Sequence, residues 1–158
     1  MAKRKPAPAK SFAKRKSSAT PGENRLLRQE SKKNEAFPIV GIGASAGGLE
    51  AIEQFFTHVP LNIGMAFILV PHLDPGHASM MTELLRRVTK LEVDEAEDGV
   101  KVEPNHVYVI PPNKDMSIYH GTINLEAPTK TQGLRMPIDS FFRSLAEDQG
   151  EMAVGIIL

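Results

Sequence analysis

Short apolar runs alternate along the chain with stretches whose apolar residues recur at helical spacing. PIVGIG is an apolar run that ends in glycine, and LEAIEQFFTHV follows it with apolar residues three and four positions apart. GMAFILV and SMMTELLRRV repeat the same pair of patterns. This order predicts parallel strands joined by helices. The predicted buried helix faces carry Leu49, Ile52, Phe55, Phe56 and Val59 in the first helix, and Met81, Leu84, Leu85 and Val88 in the second.

The second half of the chain adds a strand, a hairpin, a helix and a last strand. HVYVI predicts the strand, and MSIYHGTINLE predicts a hairpin that turns at His120 and Gly121. MPIDSFFRSLAEDQG predicts a helix from Pro137 to the residue before Gly150, and MAVGIIL predicts a buried strand. The predicted fold class is α/β, a three-layer αβα arrangement with a mostly parallel, Rossmann-like sheet and a β-hairpin. The face of the last helix that would be buried carries Ile138, Phe141, Phe142 and Leu145.

Residues 1–36 differ in composition from residues 37–158. Eleven Lys and Arg against three Asp and Glu give residues 1–35 a charge of +8, and residues 36–158 carry −8, so the net charge of zero is a cancellation. The first segment has too few apolar residues to form a core, which predicts a basic disordered arm. Its basic clusters suit nucleic acid or an anionic surface, but Phe12 is the one aromatic residue in it, so we expect no nucleic-acid partner.

Composition excludes several classes of protein. The chain has no cysteine, which excludes disulfides, thiolate nucleophiles and cysteine-ligated zinc. No apolar run approaches the ~20 residues that span a bilayer. The basic start lacks the apolar segment of a secretory signal. We therefore expect a cytoplasmic protein without a transmembrane segment.

The glycine-rich segment GIGASAGG, residues 41–48, is the main candidate for a functional site. Gly41, Gly43 and Ala46 fit the dinucleotide-binding pattern G-x-G-x-x-G/A. That pattern requires an acidic residue ~20 positions on, at the end of the next strand. This chain has VPHLD there, so the acidic residue comes late and after a histidine, and the match to the pattern is weak. A phosphate-binding P-loop is excluded because Leu49, rather than lysine, follows the last glycine.

The same segment also fits the nucleophile pattern G-x-S-x-G around Ser45. The backbone amides of Ala46, Gly47 and Gly48 would then open a helix and bind a developing oxyanion. A serine hydroxyl needs a base, and His72 follows the next predicted strand, at the same edge of the sheet. This order of serine and histidine differs from that of the α/β-hydrolases.

Three alternatives remain open from the residues alone. Ser45 could be a helix N-cap, with His72 an ordinary loop histidine. His72, Asp74 and His77 could ligate zinc, although the Pro-Gly pair before His77 keeps the two histidines off one helical face. The third alternative is a non-catalytic module that binds a nucleotide or docks on a receptor.

Five segments together resemble the catalytic domain of the chemotaxis protein-glutamate methylesterases, the CheB type. They are VGIGASAGGLEAI, FILVPHLDPGHASMMTELL, VDEAEDGVKVEPNHVYVIPPN, RMPIDSFFRSLAED and AVGIIL, so the resemblance covers residues 37–158. It is greatest to the module at the front of methylesterase–methyltransferase fusion proteins.

The resemblance implies hydrolysis of glutamate methyl esters on the cytoplasmic helices of methyl-accepting chemoreceptors, without a cofactor or a metal. Some members of the family also deamidate glutamine. By position, Ser45 matches the family's nucleophile and His72 its catalytic histidine. Arg135, Pro137 and Asp139 match a family segment to which no chemical role is assigned. A fused methyltransferase domain in the full-length protein is a further implied partner.

The sequence departs from the family pattern in two places. The family's triad aspartate lies in a Gly-rich loop after a strand like AVGIIL, and the sequence reaches Leu158 before such a loop. Asp139 and Asp148 belong to a different segment. We therefore expect an incomplete domain that lacks its C-terminal part and its third triad member, and that is nearly inactive in this form. The family's receiver domain is also missing, so control by phosphorylation is not carried over from the resemblance.

Overall fold

The computed structural model describes residues 36–45, 47–71, 75–128 and 136–158, with the backbone alone at 75–79. Residues 36–158 form one compact unit. Its elements, in chain order, are β1 Ile39–Ala44, α1 Leu49–Thr57, β2 Ala66–Pro71, α2 Pro75–Val88, β3 Glu92–Glu95, β4 His106–Val109, β5 Asp115–Tyr119, β6 Thr122–Glu126, α3 Pro137–Gln149, a 3₁₀ turn Gly150–Met152, and β7 Ala153–Ile157.

Five strands form a parallel sheet in the order β3-β4-β2-β1-β7, as the alternation of strands and helices predicts. Ala44, the last residue of β1, pairs with Pro71 of β2, and Gly43 pairs with Ile157 of β7. The carboxyl ends of the three strands therefore meet at one edge of the sheet. Because β1 has β2 on one side and β7 on the other, a crevice is expected beyond this edge, where open α/β sheets bind their ligands.

The two faces of the sheet carry separate apolar clusters, which confirms the three-layer prediction. On one face, side chains of β1 and β2 pack against α1 and α2; this cluster includes Val40, Ile42, Phe67, Leu69, Ile52, Phe56, Met81 and Leu85. On the other face, the sheet packs against α3 and the β5–β6 hairpin; this cluster includes Ile39, Ile68, Val70, Phe141, Leu145, Met116, Ile118 and Ile123.

The hairpin turn is confirmed at the predicted residues. His120 and Gly121 have φ angles of 50° and 68°, and two consecutive positive φ angles suit a two-residue hairpin turn. The Asp148 carboxylate, at the end of α3, accepts hydrogen bonds from the backbone N–H groups of both residues and from the side-chain amide of Gln149. Asp148 therefore holds the hairpin turn against the end of α3.

Strand β3 was not predicted from the sequence. Three of its four residues are acidic, and only Val93 is buried. The strand lies at the edge of the sheet, where charged residues discourage pairing with other chains. One inward side chain is too weak a periodic signal to predict a strand.

Three other predictions need correction. Helix α2 begins at Pro75, four residues before the predicted helical segment SMMTELLRRV, because proline suits the first helical position. Leu49 was predicted on the buried face of α1 but is 41% exposed, since it is the first residue of the helix. Strand β7 was predicted to be buried, but Val154 and Ile157 are 41% and 67% exposed, because β7 lies at the edge of the sheet described here.

Candidate active site

Ser45 is the first residue after β1, and it is exposed. The backbone N–H of Gly48 donates to the carbonyl oxygen of Ser45 at 3.0 Å, which closes a turn. The N–H of Ile52 then donates to the Gly48 carbonyl at 2.9 Å as α1 begins. The chain thus passes from strand to helix through a tight turn that leaves Ser45 on the outside.

The N-cap interpretation of Ser45 is wrong. Gly48 occupies the N-cap position of α1, and no side chain forms a capping hydrogen bond there. Ser45 lies three residues before the N-cap, because the turn from Ser45 to Gly48 precedes the helix. The N–H of Gly48 already has an acceptor inside the turn, which leaves Ala46 and Gly47 as the predicted oxyanion donors.

The end of β7 is fastened to the same turn. The N–H of Leu158 donates to the carbonyl oxygen of Gly43 at 2.9 Å. The N–H of Ser45 approaches the Leu158 carbonyl oxygen at 3.4 Å, which is long for a hydrogen bond. Ser45 therefore stands where β1 and β7 end side by side.

Three glycines around Ser45 are explained by close packing. A Cβ on Gly41 would lie 2.9 Å from Cδ2 of Leu145 in α3. A Cβ on Gly48 would lie 2.9 Å from the Ala44 Cβ and 3.2 Å from the Leu158 carbonyl oxygen. A Cβ on the third, Gly43, would lie closer still to α3, 2.5 Å from Cγ2 of Ile138.

This packing argues against dinucleotide binding. In the dinucleotide pattern the glycines form the loop after the strand and approach a pyrophosphate. Here Gly41 and Gly43 are buried residues of β1 and lie beneath α3. The sequence pattern could not distinguish glycines that approach a ligand from glycines that approach a helix.

Several predicted site residues lie outside the described residues: Ala46, His72, Asp74 and Arg135. Strand β2 ends at Pro71, whose register partner is the residue before Ser45, and His72 is next in the sequence. The pairing of Ser45 with His72, and the zinc alternative, stay predictions. His77 lies in the first turn of α2.

The two aspartates near the family segment lie at opposite ends of α3. Asp139 is in its first turn and is exposed, while Asp148 is in its last turn. Partial burial would raise the pKa of Asp148, but hydrogen bonds from the Gly121 N–H, the Gln149 amide and the His120 N–H outweigh it and lower the pKa. Asp148 thus has a structural role in holding the hairpin turn. No sequence motif indicated it, because its partners lie far from it along the chain.

A family model matches residues 40–158, and it is the model of the CheB methylesterases. The chain belongs to the CheB methylesterase family. The resemblance noted from the sequence is therefore confirmed.

Relatives of this CheB-family chain carry the name protein-glutamate methylesterase/protein-glutamine glutaminase. A protein of Salmonella typhimurium is 35% identical over 124 residues, which are 76% of this chain and 35% of the relative. A second protein of this type, from Methanosarcina acetivorans, is 31% identical over 144 residues, 86% of this chain and 39% of the relative. The chain thus spans little more than a third of these relatives.

A solved structure agrees with this assignment. The crystal structure of the Thermotoga maritima CheB methylesterase catalytic domain matches with a TM-score of 0.68 and 27% identity. The match covers 78% of this CheB-family chain and 67% of that chain. In the ranges described here, no helix is both long and apolar enough to cross a membrane.

Proposed function

We propose that the protein is a serine carboxyl-ester hydrolase that removes methyl groups from glutamate methyl esters of chemoreceptors and also deamidates receptor glutamine. The observation that carries the proposal is the exposed Ser45 in a tight glycine turn between β1 and α1. The names of the relatives from Salmonella and Methanosarcina support both reactions. A non-catalytic nucleotide-binding module is not favoured, since the glycines of β1 serve packing.

In the proposed mechanism, His72 takes the proton from the Ser45 hydroxyl while Oγ forms a bond to the ester carbonyl carbon. The N–H groups of Ala46 and Gly47 hold the oxyanion that develops. The carbonyl re-forms as the bond to the methoxy group breaks, and His72 returns the proton, so methanol leaves. Water then attacks the acyl-enzyme with the same histidine as base. The products are the glutamate carboxylate and free Ser45.

The position of Ser45 relative to α1 supports this chemistry. The first N–H groups of an α-helix lack acceptors within the helix, and the helix dipole adds partial positive charge at the same end. Ser45 precedes the N-cap of α1 by three residues. Negative charge that develops on a substrate carbonyl beside Ser45 would therefore be stabilised by the start of α1.

The experiment that tests the proposal has two readouts, and it uses the full-length protein because the 158-residue chain is expected to be nearly inactive. A fluorophosphonate probe should label Ser45, as located by mass spectrometry, and methylated receptor should release methanol. Ser45→Ala should abolish both. Ser140→Ala is the matched control, because Ser140 is an exposed serine in the first turn of α3. Unchanged labelling and methanol release by Ser45→Ala would overturn the assignment.

We extend the proposal to the whole protein in four respects. Residues 37–158 would be the methylesterase domain and residues 1–36 a basic arm attached to it. The protein would act in the cytoplasm, in chemotaxis signalling. Its partners would be the cytoplasmic helices of the receptors. The front position of this module in fusion proteins of the family supports a methyltransferase domain in the full-length protein. The family assignment of residues 40–158 supports the first of these statements.

A further inference from the structure

Helix α3 lies over β1 and runs in the opposite direction to it. A Cβ on Gly41 would lie 2.9 Å from Cδ2 of Leu145 and 3.0 Å from Cε1 of Phe141. A Cβ on Gly43, two residues further along the strand, would lie 2.5 Å from Cγ2 of Ile138. Moving toward the end of β1 therefore moves the contact toward the start of α3.

The start of α3 consequently reaches the end of β1, beside Ser45. Ser45 is two residues, or about 6.6 Å, beyond Gly43 along the strand. Met136, the N-cap residue of α3, precedes Ile138 by two residues, and each helical residue adds about 1.5 Å in the same direction. Met136 is therefore level with the chain between Gly43 and Ser45. It is 54% exposed, so a ligand at this edge of the sheet can contact it.

The side chain of Ser45 belongs to the face of β1 that α3 covers. Side chains alternate between the faces of an extended strand, so residues 41, 43 and 45 share one face. The pairing with β7 continues to Ser45, since the Leu158 N–H donates to the Gly43 carbonyl oxygen and the Ser45 N–H approaches the Leu158 carbonyl oxygen. Ala44, between them, packs in the cluster on the α1 face. Alternation therefore places the Ser45 hydroxyl on the α3 side.

Three apolar side chains border the chain before Ser45 on this side. Ile138 and Ile157 both approach the Cβ position of Gly43, at 2.5 and 2.9 Å. Ile157 is 67% exposed, and Met136 is the third of these side chains. Apolar surroundings favour an uncharged alkyl group and disfavour a carboxylate.

The proposed mechanism determines which part of the substrate faces α3. The oxygen that becomes the oxyanion is held at the start of α1, and α1 and α3 pack on opposite faces of the sheet. The other groups on the carbonyl carbon therefore point away from α1, toward the start of α3. One of these groups is the leaving group, which is methoxy in the ester and an amino group in glutamine.

We propose that Met136 contacts the methyl group of the ester and so favours the methyl ester over the primary amide of glutamine. This inference rests on the proposed function, which supplies both reactions. Removing one methyl group from water accounts for about a fourfold preference. The product of both reactions is a carboxylate, which has no methyl group. Asp139, exposed in the first turn of α3, adds a negative charge that favours release of this product.

The test compares two peptides that differ in one group. They carry a glutamate methyl ester or a glutamine at the same position, and kcat/KM of the full-length protein is measured for each. Met136→Gln makes the side chain polar at similar length, so the ester-to-amide ratio of kcat/KM should fall about fourfold. Met136→Leu stays apolar and should keep the parent ratio. Met152→Gln is the matched control, because Met152 is 40% exposed beyond the opposite end of α3.

The ratio separates specificity from folding, because a variant that folds less well loses both activities together. The proposal is overturned if Met136→Gln leaves the ratio unchanged, or if it changes the ratio no more than Met152→Gln does.

A second test needs no deamidation. Met136→Ala leaves room for a longer alkyl group, so its preference for a propyl ester relative to the methyl ester should exceed that of the parent. An equal preference would overturn the proposed contact. Failure of the proposed function would look different, because the parent protein would then hydrolyse neither ester, or Ser45→Ala would hydrolyse both as well as the parent does.

Discussion

Ile138 of α3 lies directly against Gly43 of β1, two residues before Ser45. A Cβ on Gly43 would lie 2.5 Å from Cγ2 of Ile138 and 2.9 Å from Cδ1 of Ile157. Cβ atoms do not approach other carbon atoms so closely in folded proteins, so α3 sits on β1 as near as the absence of a side chain permits. The strand that leads into the candidate nucleophile is thereby fixed by the helix above it.

We expect Gly43→Ala to lower the free energy of unfolding by about 1–3 kcal/mol, because the added methyl group overpacks this contact. Urea denaturation measures the change. Ile138→Ala removes both of the nearest Ile138 carbon atoms, so Gly43→Ala should cost less when made together with it. An equal cost in both backgrounds would show that the Gly43–Ile138 contact does not cause the effect.

We expect Gly48→Ala to disturb the Ser45 turn more than Gly47→Ala does. The new Cβ at Gly48 would meet two backbone oxygens, those of Leu158 at 3.2 Å and Ser45 at 3.3 Å, and backbone cannot move aside easily. At Gly47 nothing lies within 4 Å. The cost at Gly48 should be about 1–3 kcal/mol, seen as a lower melting temperature, together with slower fluorophosphonate labelling. Equal melting temperatures for the two variants would contradict this.

We expect the stabilising effect of Asp148 to depend on pH. Its pKa in the folded protein is below the ordinary value of 3.8, so the unfolded chain binds this proton more readily. The contribution to stability is therefore complete above about pH 5 and is lost as the pH falls through the folded-state pKa. Asp148→Asn should destabilise the protein by about 2 kcal/mol at neutral pH, since charged hydrogen bonds are lost.

The difference between Asp148→Asn and the parent chain should shrink when denaturation is repeated at about pH 3. Glu147→Gln is the control, because Glu147 is the exposed neighbour on the same helix. A difference that is constant with pH would mean that the Asp148 charge does not hold the hairpin turn.

We expect Thr82→Val to stabilise the protein. Thr82 is 6% exposed, and its hydroxyl has no hydrogen-bond partner in the part of the chain that the structure describes. Valine has the same shape without the polar group, so the free energy of unfolding should rise by about 1 kcal/mol. Thr82→Ser keeps the hydroxyl and loses the methyl group, so it should act in the opposite direction. Destabilisation by Thr82→Val in thermal melts would contradict the prediction.

The sequence predicted those elements whose signals are local. The strand before Ser45, the turn at His120 and Gly121, and the helix from Pro137 all have turn residues or apolar spacing within a few positions. Strand β3 was missed because only Val93 faces inward. The role of Asp148 was missed because its partners are 27 and 28 residues away.

The candidate site was predicted in part. The pattern around Ser45 indicated an exposed serine in a tight turn, and the structure has that turn. The pattern equally fitted a dinucleotide loop and left an N-cap open. Neither could be excluded until the position of α3 over Gly41 and the start of α1 after Gly48 were known.

The sequence by itself determined the α/β class, the family and the position of Ser45 at the end of a strand, because periodicity, turn residues and motifs are properties of neighbouring residues. Only the tertiary structure decided the order of the strands, the exposure of Leu49 and Ile157, and the use of Gly43 for packing. These depend on which distant segments come into contact. A glycine or an apolar residue looks the same in the sequence whether a helix, a ligand or solvent lies above it.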